Sequence, residues 1–187
     1  MVSLAQVWAP ILLSAFLVFL SSSLIHMVFK WHASDYRKLA NEDAVRAAIR
    51  AGSPAPAQYH MPYCADMKEM GDPAMQAKWT EGPVALLTVL PNKVPGMGPM
   101  LGAWFVLNIV VSFFAGYIGI HALPIGTDYL RVFQVIGAVG FMSYGLGTIA
   151  PSIWMGKPWS ITRKDLLDAL IYGCMMGGAF GWLWPQA

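Results

Sequence analysis

The sequence predicts an all-α membrane protein: a four-transmembrane-helix bundle whose first connection is a cytoplasmic loop of short helices with one short strand pair. Three observations predict it. The chain is 57% hydrophobic and only 12% charged, far from the soluble balance of roughly a quarter charged residues. Four apolar runs are long enough for the roughly 20 residues that a crossing helix needs. Of the twelve Lys and Arg residues, all but Arg131 fall between residues 30 and 93 or between 157 and 164, the two connections that four crossings leave on one side.

The first run, Val7 to Phe29, resembles a secretory signal only superficially. No Lys or Arg precedes it, and its apolar stretch exceeds an ordinary signal core, so it is expected to remain as an anchor. The second, third and fourth runs are Met100 to Leu123, Tyr129 to Ile153 and Leu166 to Trp184. Trp8, Trp31, Trp104, Trp154, Trp159, Trp182 and Trp184 stand at or near the ends of these runs, as expected of a side chain that prefers the interface. The organisation is therefore a first transmembrane helix (1–30), a structured loop (31–98) and three further helices with short connections (99–187). By the positive-inside rule both termini are periplasmic, loops 31–98 and 154–165 are cytoplasmic, and the membrane is of the bacterial inner-membrane type.

The 31–98 loop is too long to be featureless. Asn41 is a candidate N-cap for a helix closed by Gly52, with Glu42 and Arg46 spaced for an i,i+4 pair. Asp72-Pro73 opens a second helix reaching about Thr80. The apolar run Val84 to Leu90, bounded by Pro83 and Pro91, suits a strand pairing near Tyr59. Few large aliphatic residues are available there for a core, so contacts with lipid, the bundle or a partner are expected to support the loop.

Candidate chemistry is sparse. Ala169, Gly173, Gly177 and Gly181 recur every fourth residue, a small-residue stripe suited to close helix packing. The intramembrane polar residues are His26, Asn108, Gln134 and Ser143, with Ser112 beside them. Such groups serve as interhelical hydrogen-bonding glue or line a polar path. Thr162 with Asp165 reads as a capping box, and Asp168 as a first-turn residue favoured by the helix dipole. His32, Asp35, Tyr36, Glu42 and Asp43 form a second polar group without a catalytic spacing. His60, Met61, Cys64, Met67 and Met70 combine imidazole with soft sulfur donors. Such donors suit Cu(I), and Cys64, Met67 and Met70 share one face if the segment is helical.

Net charge of +2 without a basic patch argues against a nucleic-acid partner. Cys64 and Cys174 lie in a polar loop and an apolar span respectively, and read as free thiols. No motif of an enzyme is present, so catalysis is not expected. The leading expectation is an accessory or scaffolding subunit surrounded by lipid and other membrane subunits. A homo-oligomeric channel or small-solute transporter lined by Asn108, Gln134 and Ser143 is the alternative, and copper binding by the 60–70 segment is the second alternative.

Overall fold

The computed structural model describes residues 2–186. The chain is mostly helical and divides into two compact units, one containing the sequence up to Tyr36 together with that from Gly96 onward, the other spanning Arg37–Pro95.

In the first unit, a 3₁₀ turn (Leu4–Val7) leads into α1 (Trp8–Ser23), which passes into a π-helical turn (Leu24–Phe29). Among the described residues, three helices are long and apolar enough to cross a membrane: Leu4–Phe29, Met97–Ala122 and Tyr129–Trp154. That is consistent with an integral membrane protein. Three of the four expected crossings meet that length and hydropathy. The fourth long helix, Trp159–Trp182, has Arg163, Lys164, Asp165 and Asp168 in its N-terminal half, and these charges and its glycines dilute its apolar character.

We label Glu42–Ala51 α2, Pro73–Glu81 α3, Met97–Ala122 α4, Tyr129–Gly145 α5, Ala150–Trp154 α6 and Trp159–Trp182 α7. Between α5 and α6 the chain tightens into a 3₁₀ turn at Leu146–Thr148, and Pro151 enters the first turn of α6, where a missing N–H costs nothing.

Packing in this unit depends on small residues. A methyl placed on Gly173 would come within 2.7 Å of the Gly137 carbonyl oxygen, one on Gly177 within 2.7 Å of the Phe133 carbonyl oxygen, and one on Gly181 within 2.8 Å of the Tyr129 ring. Only glycine permits α5 and α7 to approach so closely, which converts backbone surface into dispersion contact. Ala169 is fully buried at the same seam, beside Gly145. The α1–α4 contact is made differently: the buried hydroxyls of Ser14 and Ser112 lie 2.9 Å apart, and Gly116 receives the Ile11 side chain.

In the second unit, β1 (Ala57–Met61) pairs antiparallel with β2 (Ala85–Val89), with Tyr59 opposite Leu87. Asp72 caps α3 through its carboxylate and the Ala74 N–H at 2.9 Å. Two local expectations need correction. Asn41 stands at the N-cap of α2 but its side chain makes no capping bond. Arg46 pairs with Asp43 at 3.5 Å rather than with Glu42, because i,i+3 neighbours on a helix are as close as i,i+4 ones. None of the described residues from Arg37 to Pro95 is buried, as a segment poor in large aliphatics dictates.

Candidate functional site

The end of α1 departs from regular helix, and that departure builds the site. The π turn at Leu24–Phe29 carries His26, and such turns occur often at functional positions. Lys30 then adopts a left-handed conformation (φ 53°) while its N–H bonds the Ile25 carbonyl, a backbone state disfavoured for a residue with a Cβ. A 3₁₀ turn, Trp31–Ser34, follows. The reversal brings the His32 ring parallel to that of His26, with planes 2° apart and centroids separated by 4.8 Å.

Asp168 of α7 joins these two rings. Its Oδ2 lies 2.9 Å from His32 Nε2 and 3.9 Å from His26 Nε2, while its Oδ1 accepts from the Trp31 indole at 3.1 Å. On the far edge of each ring, His26 Nδ1 is 2.9 Å from the Ser22 carbonyl oxygen and His32 Nδ1 is 2.6 Å from Asp35 Oδ2. Lys164 closes the network by donating to Asp35, to the Trp31 carbonyl and to Ser34 Oγ.

Burial gives this arrangement its energetic weight. The Asp35 and Asp168 side chains are 5% and 7% exposed, whereas that of His26 is 51% exposed. A buried carboxylate without partners is severely destabilising. Carboxylates only accept, so the His32 ring, set between Asp168 and Asp35, and the Lys164 ammonium beside Asp35 are the groups that offset the two buried acids. Burial pushes the Asp35 carboxyl upward, but the hydrogen bonds and positive charges of Lys164 and His32 outweigh it and hold Asp35 below the usual carboxylate range.

The His26 and Asp168 side chains also form part of the wall of a cavity of about 590 Å³, at the end of the bundle where the chain leaves the first helix and enters α4. The wall is mainly apolar. Leu101, Trp104 and Leu107 come from α4, Tyr144 from α5 and Tyr172 from α7. Trp104, Tyr144 and Tyr172 stand edge to face with centroids 5.3–6.4 Å apart, and the Trp104 indole donates to Ser22 Oγ at 2.8 Å. The volume falls within the range of about 300–1,000 Å³ common for small-molecule pockets, and the wall combines apolar surface with a few polar groups.

The residues singled out from sequence are dispersed. Asn108 is fully buried and accepts from the Tyr144 hydroxyl through Oδ1, while its Nδ2 lacks a partner among the described residues. Ser143 donates to the Val139 carbonyl and also lines the cavity beside His26 and Asp168. Gln134 borders a separate cavity of about 250 Å³ between α5 and α7, with Cys174.

The 60–70 segment is not one helix: Met61 ends β1, and a 3₁₀ helix begins only at Met67, running to Gly71. The shared helical face of Cys64, Met67 and Met70 is thereby lost. Cys64 Sγ donates to the Asp66 carbonyl, and His60 bonds the Pro62 carbonyl and stacks near Trp79. Thr162 and Asp165 form no capping box, since α7 starts at Trp159; Thr162 bonds Ser152 and Asp165 pairs with Lys157. Asp168 accordingly lies about two and a half turns into the helix, beyond the reach of its N-terminal dipole.

Sequence reasoning identified His26, His32 and Asp168 separately and did not join them. Their spacing is unlike any metal or catalytic motif. The available signal was chemical: a carboxylate inside an otherwise apolar helix requires a cationic or hydrogen-bonding partner. No family model matches the chain, and no curated protein or solved structure does.

Proposed function

We propose that this chain is a membrane-embedded binding protein for a small amphipathic molecule. One observation carries the reading: the cavity of about 590 Å³ is bounded by side chains from all four long helical segments and carries the His26–Asp168 edge in its apolar wall. The ligand would lay its apolar body against Leu101, Leu107 and the Trp104–Tyr144–Tyr172 cluster, with its hydrogen-bonding head toward His26 and Asp168. In this reading α7 is a fourth crossing helix, with Asp168 near the interface. Both termini face away from the cytoplasm, the charged connections face it, and the membrane is a bacterial-type inner membrane. The skewed distribution of Lys and Arg supports that orientation.

Native mass spectrometry of protein extracted from its own membrane in a lipid-retaining polymer tests the proposal. One small amphipathic adduct per chain is expected, lost when Leu101→Trp fills the cavity. Wild-type protein carrying only bulk lipid overturns it.

A second reading, an accessory subunit of a larger membrane complex, draws on the Arg37–Pro95 unit. Its side chains include Leu39, Tyr63, Leu90 and Val94, all more than half exposed, without any buried residue around which to organise. Apolar surface of that kind is suited to a protein partner. Co-isolation of different subunits in the same spectra supports this reading; an isolated chain at native abundance argues against it.

A further inference from the structure

We infer that His26, His32 and Asp168 form a binding site for one divalent transition-metal ion of the zinc class, held by the two Nε2 atoms and Asp168 Oδ2. Among the described residues, these three offer ligand atoms within 4.8 Å of one another. Around a tetrahedral ion with bonds of about 2.0–2.1 Å, donor atoms sit about 3.3 Å apart. The observed separations from Asp168 Oδ2, 2.9 Å to His32 and 3.9 Å to His26, lie on either side of that value.

The outer edges of the rings supply an independent reason. A histidine ligand normally turns its other nitrogen to a carbonyl or carboxylate, which fixes the tautomer and the ring orientation. Here His26 Nδ1 faces the Ser22 carbonyl and His32 Nδ1 faces Asp35, leaving both Nε2 atoms toward Asp168. Lys164 and Trp31 hold Asp35 and Asp168 in turn. One adjustment is required. The parallel rings direct their Nε2 atoms alongside each other, so His26 must tilt to make them converge on one ion, and its half-exposed side chain has room to do so.

Two imidazoles and one carboxylate leave a tetrahedral ion with a fourth position, the arrangement of reactive rather than purely structural sites. His26 and Asp168 border the cavity described above, so that position opens toward it and would take water or the head of a bound molecule. Only this last step rests on the cavity reading; the three-ligand site does not.

The test uses the full chain in lipid nanodiscs, stripped with a chelator and titrated with Zn²⁺ against a chromophoric competitor, with Co²⁺ absorption reporting coordination. One ion per chain and a four-coordinate Co²⁺ spectrum are expected. His26→Ala keeps the His32–Asp168 and Trp31–Asp168 bonds and therefore the helix packing, yet should weaken Zn²⁺ binding by about 100-fold or more. Asp35→Asn, which alters only an outer partner, should weaken it by roughly 10–100-fold. His32→Ala should abolish it, and Cys64→Ala should leave it unchanged. Failure of wild-type protein to bind Zn²⁺, binding that survives His26→Ala and His32→Ala, or binding that falls with Cys64→Ala each overturns the site. Leu101→Trp separates the two readings: unchanged Zn²⁺ binding when no amphipathic adduct is found in wild type would remove the cavity reading and leave the metal site standing.

Discussion

The two halves of α7 are held by different physics. Toward its N-terminus, Thr162, Lys164, Asp165 and Asp168 each find a polar or charged partner, and Asp168 and Lys164 tie the helix to the turn after the first helix. Toward its C-terminus, Gly173, Gly177 and Gly181 place backbone against backbone and ring on α5. Hydrogen bonds and ion pairs are directional and leave a severe penalty when one partner is removed. Close glycine packing is non-directional and fails through steric overlap instead. One helix thus has a chemically specific end, where the cavity lies, and a geometrically specific end, where no chemistry is required.

Substitutions can break this contrast in order of expected effect. Asp168→Ala leaves His32 and the Trp31 indole without their shared acceptor and should lower unfolding stability by roughly 3–5 kcal/mol, the range for removing one member of a buried pair. Reversible denaturation in mixed micelles would measure it. Gly173→Val drives side-chain atoms into the Gly137 carbonyl and should cost about 1–3 kcal/mol, the usual range for overpacking; equal losses for the two variants would erase the proposed difference between the halves.

The charged end alone should also respond to acid. Asp35 sits below its ordinary value of 3.8 in the folded chain, so its stabilising contribution is complete above that value and is lost as pH falls through the folded one. Metal-free wild type should therefore lose stability below about pH 4, and Asp35→Asn should lack that component of the acid limb. An unchanged acid limb in Asp35→Asn would show that the network contributes little there. The smallest effect is expected for Trp104→Phe, which keeps an aromatic ring in the wall but deletes the bond to Ser22 and should cost about 1 kcal/mol. Thermal unfolding of the two proteins side by side would resolve it.

Local features were legible where local chemistry decides them. The proline-bounded run around Leu87 is a strand paired near Tyr59, and Asp72-Pro73 does open a helix. Local reading failed where two local solutions compete. Arg46 had acidic neighbours at both helical spacings, and Thr162-x-x-Asp165 looked like a helix start although α7 begins at Trp159, directly after Pro158. The candidate site was illegible for another reason: His32 and Asp168 meet across 136 positions, and no spacing rule links residues so far apart.

By itself, the sequence determined the apolar helices, the charged connections and the small-residue stripe, because hydropathy and residue volume belong to each side chain wherever it lies. Tertiary structure alone decided which polar groups share a site. The π turn at His26, the left-handed Lys30 and the docking of α7 bring two imidazoles and a carboxylate together, and a buried charge is stable only where such partners converge.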